Sequence, residues 1–132
     1  MAIEYITRQD VTDLIDEIEY PRNDDNSINE VRIEKLMSFP RREIEPYLAE
    51  AGYKVPVELQ TDIDRLEYIT VPIFKYYMTN NNGNRTEEII EGYNNAKSVL
   101  NKIANGKVTI KGLPLDEDNT SNSGLSFSYL DI

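Results

Sequence analysis

The sequence predicts an all-α fold, a four-helix, largely antiparallel bundle with kinked helices and an extended C-terminal tail. Four stretches of the 132-residue chain place apolar residues three and four positions apart, the spacing of one helix face. Prolines inside two of these stretches predict kinks, because proline lacks a backbone donor and disfavours a helical residue before it. Residues 125–129 alternate apolar and small polar side chains, which favours an extended segment.

The most regular of the four stretches is Thr86–Gly106. Thr86 is a typical N-cap, and two glutamates follow in the first turn, where the helix dipole favours negative charge. Gly106 is placed to end the helix in a left-handed conformation. We expect this stretch to be the central helix of the fold, with Gly92 marking a weak spot or a close helix crossing. Its apolar stripe consists of Ile89, Tyr93, Ala96, Leu100 and Ile103.

The first helix is predicted over Arg8–Glu19, with Thr7 as its N-cap and Pro21 as its stop. Its outer face is acidic. A second apolar stripe begins after Ser27, the predicted cap, and runs to Gly52. Each of these stretches is long enough to bury one face against the central helix.

Prolines interrupt the second and third stripes. We expect the second stripe to break or kink sharply at Ser38–Pro40 and to bend mildly at Pro46. The third stripe covers residues 57–77 and contains Pro72, which predicts another kink. After the central helix, Lys107–Lys111 alternates in polarity and predicts a short strand.

The predicted core collects the inward-facing positions of these stripes. Its members are Leu14, Ile18, Leu36, Leu48, Ile63, Leu66, Ile73, Tyr93, Ala96, Leu100 and Ile103.

The chain divides into a helical domain at residues 1–111 and, at residues 112–132, an acidic flexible linker followed by an extended arm. A lone strand at a chain end has no local partner, so the arm is predicted either to add a strand to another chain or to cover its own domain. The residues predicted to bind a partner through this arm are Leu125, Phe127, Tyr129 and Leu130.

The sequence contains no cysteine and no histidine. This excludes thiolate nucleophiles, Ser–His relays and most transition-metal sites. Carboxylate chemistry survives as an option, either as a catalytic pair of acids or as oxygen ligands of Mg²⁺ or Ca²⁺. Among 24 acidic residues some pair always looks suggestive, so we predict no enzymatic activity, no catalytic residue, no cofactor and no metal. No apolar run approaches the roughly 20 residues of a membrane span.

The net charge of −10 is concentrated at the two ends of the chain. Residues 1–30 hold nine acids and two bases, a net charge of −7, and residues 112–132 hold four acids and no base, a net charge of −4. No basic stripe is present, so wrapping onto nucleic acid phosphates is not expected. An acidic surface suits a basic protein partner, or keeps DNA from adhering.

The order of elements resembles a known family, the head–tail connector (adaptor) proteins of tailed phages and prophages of the Mu-like prophage type. The matching blocks are YITRQDVTDLI at 5–15, IEPYLAEAGYKVP at 44–56, ITVPIFKYY at 69–77 and EGYNNAKSVLNKIANGKVTI at 91–110. Two residues of the third block depart from the family pattern, Thr70 and Pro72, where the family usually has Asp and Ala.

The resemblance implies an all-helical structural protein of the virion, assembled in the cytoplasm of the host bacterium. Such proteins form a homo-oligomeric ring, commonly of twelve subunits, below the portal protein of a filled capsid. They join the portal to stopper or tail proteins during DNA packaging and genome ejection. DNA passes through the ring as non-specific cargo, and the role involves no membrane and no cofactor.

A ring requires head-to-tail contacts between unlike surfaces of neighbouring subunits. The uneven charge supplies one pairing, between the acidic first helix of one subunit and basic residues of the next. The acidic candidates are Asp13, Asp16 and Glu17, and the basic candidates are Arg41, Arg42 and Lys54.

Two alternative functions compete with a ring adaptor. Small acidic helical proteins can imitate the charge of DNA, so the chain could instead be a regulator or inhibitor that binds a basic protein. A carboxylate enzyme is the other alternative, and it would need a pocket with convergent acids.

Overall fold

In the computed structural model, residues 4–79 and 85–116 are described, and they form six α-helices and one 3₁₀ turn. No β-strand occurs in these two ranges, apart from isolated bridges between Arg22 and Ile28 and between Tyr53 and Leu115. The predicted all-α fold is therefore confirmed. The elements are α1 (Arg8–Leu14), the 3₁₀ turn (Glu17–Glu19), α2 (Glu30–Met37), α3 (Phe39–Glu50), α4 (Gln60–Asp64), α5 (Glu67–Thr79) and α6 (Glu87–Ala104).

Four helices, α2, α3, α5 and α6, contribute the helix-to-helix packing, with α5 against α6 the most extensive pair. The core has two adjoining clusters. One lies between α3, α5 and α6, and the other lies between α1, α2 and the second half of α5. Tyr77 packs against both clusters, so α5 connects the two halves of the core. Four packed helices are compatible with the predicted bundle, but they are not the four predicted ones. The second predicted helix is both α2 and α3, and the first, α1, is a short addition, as is α4.

The central helix is α6, and it forms as its sequence indicates. The Thr86 side chain accepts a hydrogen bond from the Ile89 backbone N–H at 3.2 Å. Gly106, just beyond the C-cap, has φ +79°, a conformation that glycine adopts without strain. The 18 residues of the helix span about 27 Å. Its buried face contains Ala96, Leu100 and Ile103.

The first helix is shorter than predicted. The capping box at Thr7 is present, but α1 ends at Leu14 rather than at residue 19. Ile15 is extended, and the Asp16 side chain accepts a hydrogen bond from the Ile18 N–H, which starts the separate 3₁₀ turn. A short acidic side chain that caps a new turn competes with continuation of the helix. Ile18 is consequently 73% exposed, so its predicted burial is wrong.

The second stripe breaks where the prolines indicate. Helix α2 ends at Met37, and α3 begins at Phe39 with Pro40 in its first turn, where the missing N–H costs nothing. The cap of α2 is Asn29, which accepts from the Arg32 N–H at 3.0 Å, and not the predicted Ser27.

The prolines within helices do not end them. Helix α3 continues through Pro46, and α5 continues through Pro72. The third stripe is nevertheless two helices, because the chain turns at Arg65 and Leu66 between α4 and α5. Leu59, which precedes α4, is 63% exposed.

The predicted strand at Lys107–Lys111 does not form. The N–H groups of Lys107 and Val108 both donate to the Lys102 carbonyl, at 2.8 and 3.1 Å, which completes the end of α6. The Ile110 N–H donates to the Tyr53 hydroxyl at 2.8 Å. Because these backbone donors already bond to the end of α6 and to a side chain, they are not available for hydrogen bonds to a neighbouring strand.

The residues just beyond position 111 also pack against the body. Leu113 is buried, the Lys54 N–H donates to the Pro114 carbonyl at 2.9 Å, and the Asp116 N–H donates to the Gly52 carbonyl at 2.9 Å. Of the predicted core, Leu14 and Tyr93 are only partly buried, and Ile18 is exposed. The predicted residues that are buried are Leu36, Leu48, Ile63, Leu66, Ile73, Ala96, Leu100 and Ile103.

Candidate functional site

The predicted tail contacts Leu125, Phe127, Tyr129 and Leu130 lie outside the described residues. The acidic contact candidates Asp13, Asp16 and Glu17 are exposed, on α1 and at the 3₁₀ turn after it.

The basic contact candidates differ in availability. Arg42 and Lys54 are exposed. Arg41 is held within its own chain, because its Nε donates to Glu4 at 2.9 Å and its Nη1 lies 4.0 Å from Glu45. Of the three, Arg42 and Lys54 are therefore better placed to reach a neighbouring subunit, and the pairing itself stays a prediction.

Aromatic and charged side chains meet where α3, α5 and α6 converge. We call this surface the aromatic face. Helix α3 contributes residues four apart, α6 contributes a pair four apart, and α5 contributes two adjacent tyrosines near its end. Its residues are Phe39, Glu43 and Tyr47 of α3, Tyr76 and Tyr77 of α5, Tyr93 and Lys97 of α6, and the preceding Arg85.

Glu43 is the charged centre of the aromatic face. The Tyr77 hydroxyl donates a short hydrogen bond to Glu43 Oε1. The other carboxylate oxygen, Oε2, is buried and lies 3.4 Å from Lys97 Nζ. Lys97 in turn lies over the Tyr47 ring, with Nζ 4.8 Å from the ring centroid. Three helices are thus joined through one carboxylate.

The tyrosines next to this centre are stacked. The Tyr76 and Tyr93 rings lie nearly parallel, 3.8 Å between centroids, and the Phe39 ring meets the Tyr77 ring edge-on at 5.0 Å. The Arg85 guanidinium lies 3.6 Å from the Tyr76 ring centroid, and its Nη2 donates to the Tyr76 carbonyl at 2.8 Å. Arg85 therefore covers the stack and satisfies a carbonyl near the end of α5.

The environment favours the neutral form of these phenols. Burial raises the pKa of Tyr77, and its hydrogen bond to Glu43 adds to the rise. Burial likewise raises the pKa of Tyr93, with Tyr77 and Glu43 as further causes. Burial by itself lowers the pKa of Lys97, but its contacts with Tyr47 and Glu43 outweigh burial and the net shift is upward. At neutral pH the Tyr77 and Tyr93 phenols are therefore uncharged, and Lys97 carries its charge.

This arrangement is suited to contact with another protein. Next to the cluster, Phe39, Arg42, Glu43 and Tyr77 line an open cavity of about 280 Å³. It joins aromatic edges to an exposed guanidinium, which is typical of protein interfaces. In the described ranges, no group of three or more acidic side chains is arranged to hold a metal ion. Across the same residues, no helix is both long enough and apolar enough to cross a membrane.

Comparison with families of known proteins matched residues 3–128 to the family described as "Bacteriophage Mu, Gp36". The chain belongs to the Mu Gp36 family. It is a Mu-like phage protein, and the match covers the whole described body together with part of the acidic tail. The Mu Gp36 match reaches past residue 110, where the sequence resemblance ended. Comparisons with curated proteins and with solved structures gave no match.

The aromatic face of this Mu Gp36 family member was not predicted. The sequence predicts Tyr93 in the core and does not distinguish Glu43 or Lys97, because their partners come from helices far apart in the chain. The available signal was the adjacent pair Tyr76 and Tyr77, followed by a third tyrosine on the next helix.

Proposed function

We propose that this Mu Gp36 family member is a structural virion protein, a head–tail connector that forms a ring below the portal and lets DNA pass through. The observation that carries the proposal is the family match over residues 3–128. The four sequence blocks that resemble Mu-like connectors supply the specific role.

The structure supports a role in contact rather than in chemistry. The body is helical, without histidine or cysteine, and it presents the aromatic face beside the exposed Arg42. Exposed acids at Asp13, Asp16 and Glu17 lie on a different element, the first helix and the 3₁₀ turn after it. Two unlike charged surfaces on one subunit are what a head-to-tail ring requires. Because exposed ion pairs contribute little individually, we propose that the ring assembles on the portal rather than alone.

Mixing the protein with the portal of the phage that encodes it tests this proposal. We expect sedimentation to show a complex far heavier than the portal alone, with a ring visible by electron microscopy. Reversing Arg42 and Lys54 together to Glu should weaken this assembly, whereas reversing the exposed Lys35 and Lys107 changes the net charge equally and should not. If the protein does not bind the portal but binds a basic enzyme as a monomer or dimer, this result would support the DNA-mimic alternative instead.

We also propose that the arm at residues 125–132 docks on the portal or on an adjoining subunit by strand addition, with Leu125, Phe127 and Tyr129 filling pockets and Leu130 close by. Removing residues 117–132 tests this point, since it spares the packed residues 113–116. We expect a folded subunit that no longer joins the portal. Loss of several kcal/mol of stability in the isolated subunit would show that the arm belongs to its own core.

A further inference from the structure

A groove runs along the outer side of α5, away from the aromatic face. Its floor is a row of α5 side chains spaced four apart, Glu67, Val71, Lys75 and Thr79. This spacing places them on one ridge of the helix. Three cavities of about 240, 270 and 270 Å³ lie along the row and share lining residues, so they adjoin one another along the helix.

The walls of the groove are largely apolar. Leu14 and Ile15 face it from the α1 side. Pro72 of α5 lines it together with Ile89 and Gly92 of α6. Gly92 has no side chain, and this keeps the α6 wall low. The floor row spans the 13 residues of α5, or about 18 Å from the first Cα to the last, which matches roughly three turns of a docked helix.

The rim of the groove is acidic on both sides. Lys75 is the only basic residue among those that line its three cavities. The acids that line them are Asp10, Asp13, Asp16, Glu19, Asp64, Glu67 and Glu88. Apolar walls below acidic rims, around a floor that carries Val71 at its centre, are complementary to a helix with one apolar face and basic flanks.

We propose that this groove binds a basic amphipathic helix of a partner protein. The charge argues against the chain's own arm or that of a second copy, because residues 112–132 hold four acids and no base. No helix in the described ranges exposes both a large apolar side chain and an excess of basic over acidic residues. The occupant is therefore a different protein, recognised by positive charge and by apolar residues at helical spacing.

The groove is proposed from its own lining and charge, so it does not depend on the connector function. Asp13 and Asp16 also belong to the proposed contact between subunits, so the test uses Glu67, Val71 and Glu88 instead. If the protein forms no ring on the portal, the proposed binding site in the groove is unaffected. If the peptide does not bind the groove, the proposed ring is unaffected.

Binding to two synthetic peptides tests the groove with the full chain. Both are about 18 residues long with leucines at i, i+3, i+4 and i+7, and the remaining positions are lysine in one and glutamate in the other. Fluorescence anisotropy at physiological salt should show binding of the lysine peptide only. Equal binding of both peptides, or no binding of either, would overturn the proposal.

Matched variants separate the groove from general attraction to an acidic protein. Reversing Glu67 and Glu88 to Lys should weaken lysine-peptide binding at least about tenfold. Reversing the exposed Glu34 and Glu50, which changes the net charge equally outside the groove, should weaken it less than about threefold. Equal losses in the two pairs would show non-specific attraction and refute a site on α5.

A second pair of variants tests the centre of the floor. Val71→Lys replaces the apolar side chain of the floor row with a charged one, and Tyr68→Lys places the same charge on the exposed side of the same helix, where Tyr68 is 56% exposed. Circular dichroism confirms that each variant is folded. We expect only Val71→Lys to abolish binding. Retained binding in Val71→Lys would overturn the proposal.

Discussion

The Tyr77 hydroxyl of α5 donates a hydrogen bond to Glu43 of α3, and the same carboxylate pairs with Lys97 of α6 at 3.4 Å. One glutamate therefore connects the three helices that pack around the larger core cluster. Because Glu43 is largely buried and Lys97 is partly buried, solvent weakens these interactions less than it weakens a surface pair.

Removing the Tyr77 hydroxyl should destabilise the fold without changing its shape. We expect Tyr77→Phe to lower the free energy of unfolding by about 1–2 kcal/mol, below the upper range for a hydrogen bond to a charged group because the site is partly exposed. Chemical denaturation measures the loss. Tyr68→Phe is the matched control, since Tyr68 is 56% exposed, and it should change stability by less than about 0.5 kcal/mol. Equal changes in unfolding free energy for the two variants would show that the Tyr77 hydroxyl does not stabilise the fold.

Two glycines should respond in opposite directions to alanine. A Cβ at Gly92 would lie 3.7 Å from Pro72 Cβ, an ordinary contact, so Gly92→Ala should stabilise α6 by about 0.5–1 kcal/mol. Gly112 has φ +87°, and a Cβ there would lie 2.6 Å from Arg65 Cζ. We expect Gly112→Ala to cost at least about 1 kcal/mol. A loss of stability in Gly92→Ala would show that α5 and α6 pack more tightly at Gly92 than a 3.7 Å contact between Cβ atoms allows.

The central helix should depend strongly on Leu100, which is fully buried against the larger core cluster. We expect Leu100→Ala to cost about 2–5 kcal/mol in unfolding free energy, through lost burial and a residual cavity. Val31→Ala on α2, where Val31 is 82% exposed, should change stability by less than about 0.5 kcal/mol. A cost below about 1 kcal/mol for Leu100→Ala would mean that the buried face of α6 is misassigned.

Three tyrosines, one buried and two partly buried, should make the fold sensitive to alkaline pH. Burial, reinforced by neighbouring glutamates, raises the pKa of Tyr5, Tyr77 and Tyr93 in the folded state. In the unfolded chain they titrate near pH 10, so above that pH the unfolded state has released protons that the folded state keeps. Stability should be fully present below pH 10 and fall as the pH rises above about 10.

Denaturation curves across this pH range, together with the ultraviolet absorbance of tyrosinate, test that expectation. The double variant Tyr77→Phe, Tyr93→Phe should lose stability less steeply, because fewer buried phenols remain. If all nine tyrosines ionise together near pH 10 with no loss of stability, the buried hydrogen-bonded arrangement is wrong.

Helix α6 could be predicted closely because its signals are local and agree. The cap at Thr86, the apolar stripe and the stop at Gly106 all lie within one stretch of sequence. The first helix could not be bounded in the same way, because two local signals compete there. The apolar pattern continues to Ile18, but Asp16 caps a new turn and leaves Ile18 in solvent.

The candidate surfaces depended on tertiary structure. Glu43 and Tyr77 are 34 residues apart in sequence, and nothing in either helix alone indicates that they meet. The groove likewise combines residues of α1, α5 and α6. From the sequence alone, its floor residues indicate a helix but not a groove. The sequence shows the charge asymmetry of the chain, but not that the acids lie beside the apolar walls of a groove.

Electron microscopy of particles made by the encoding phage after deletion of this gene tests the connector function most directly. We expect heads and tails to accumulate separately and few joined particles to form, and we expect the intact protein supplied in trans to restore joining. Joined, infectious particles at normal yield without the protein would contradict the account.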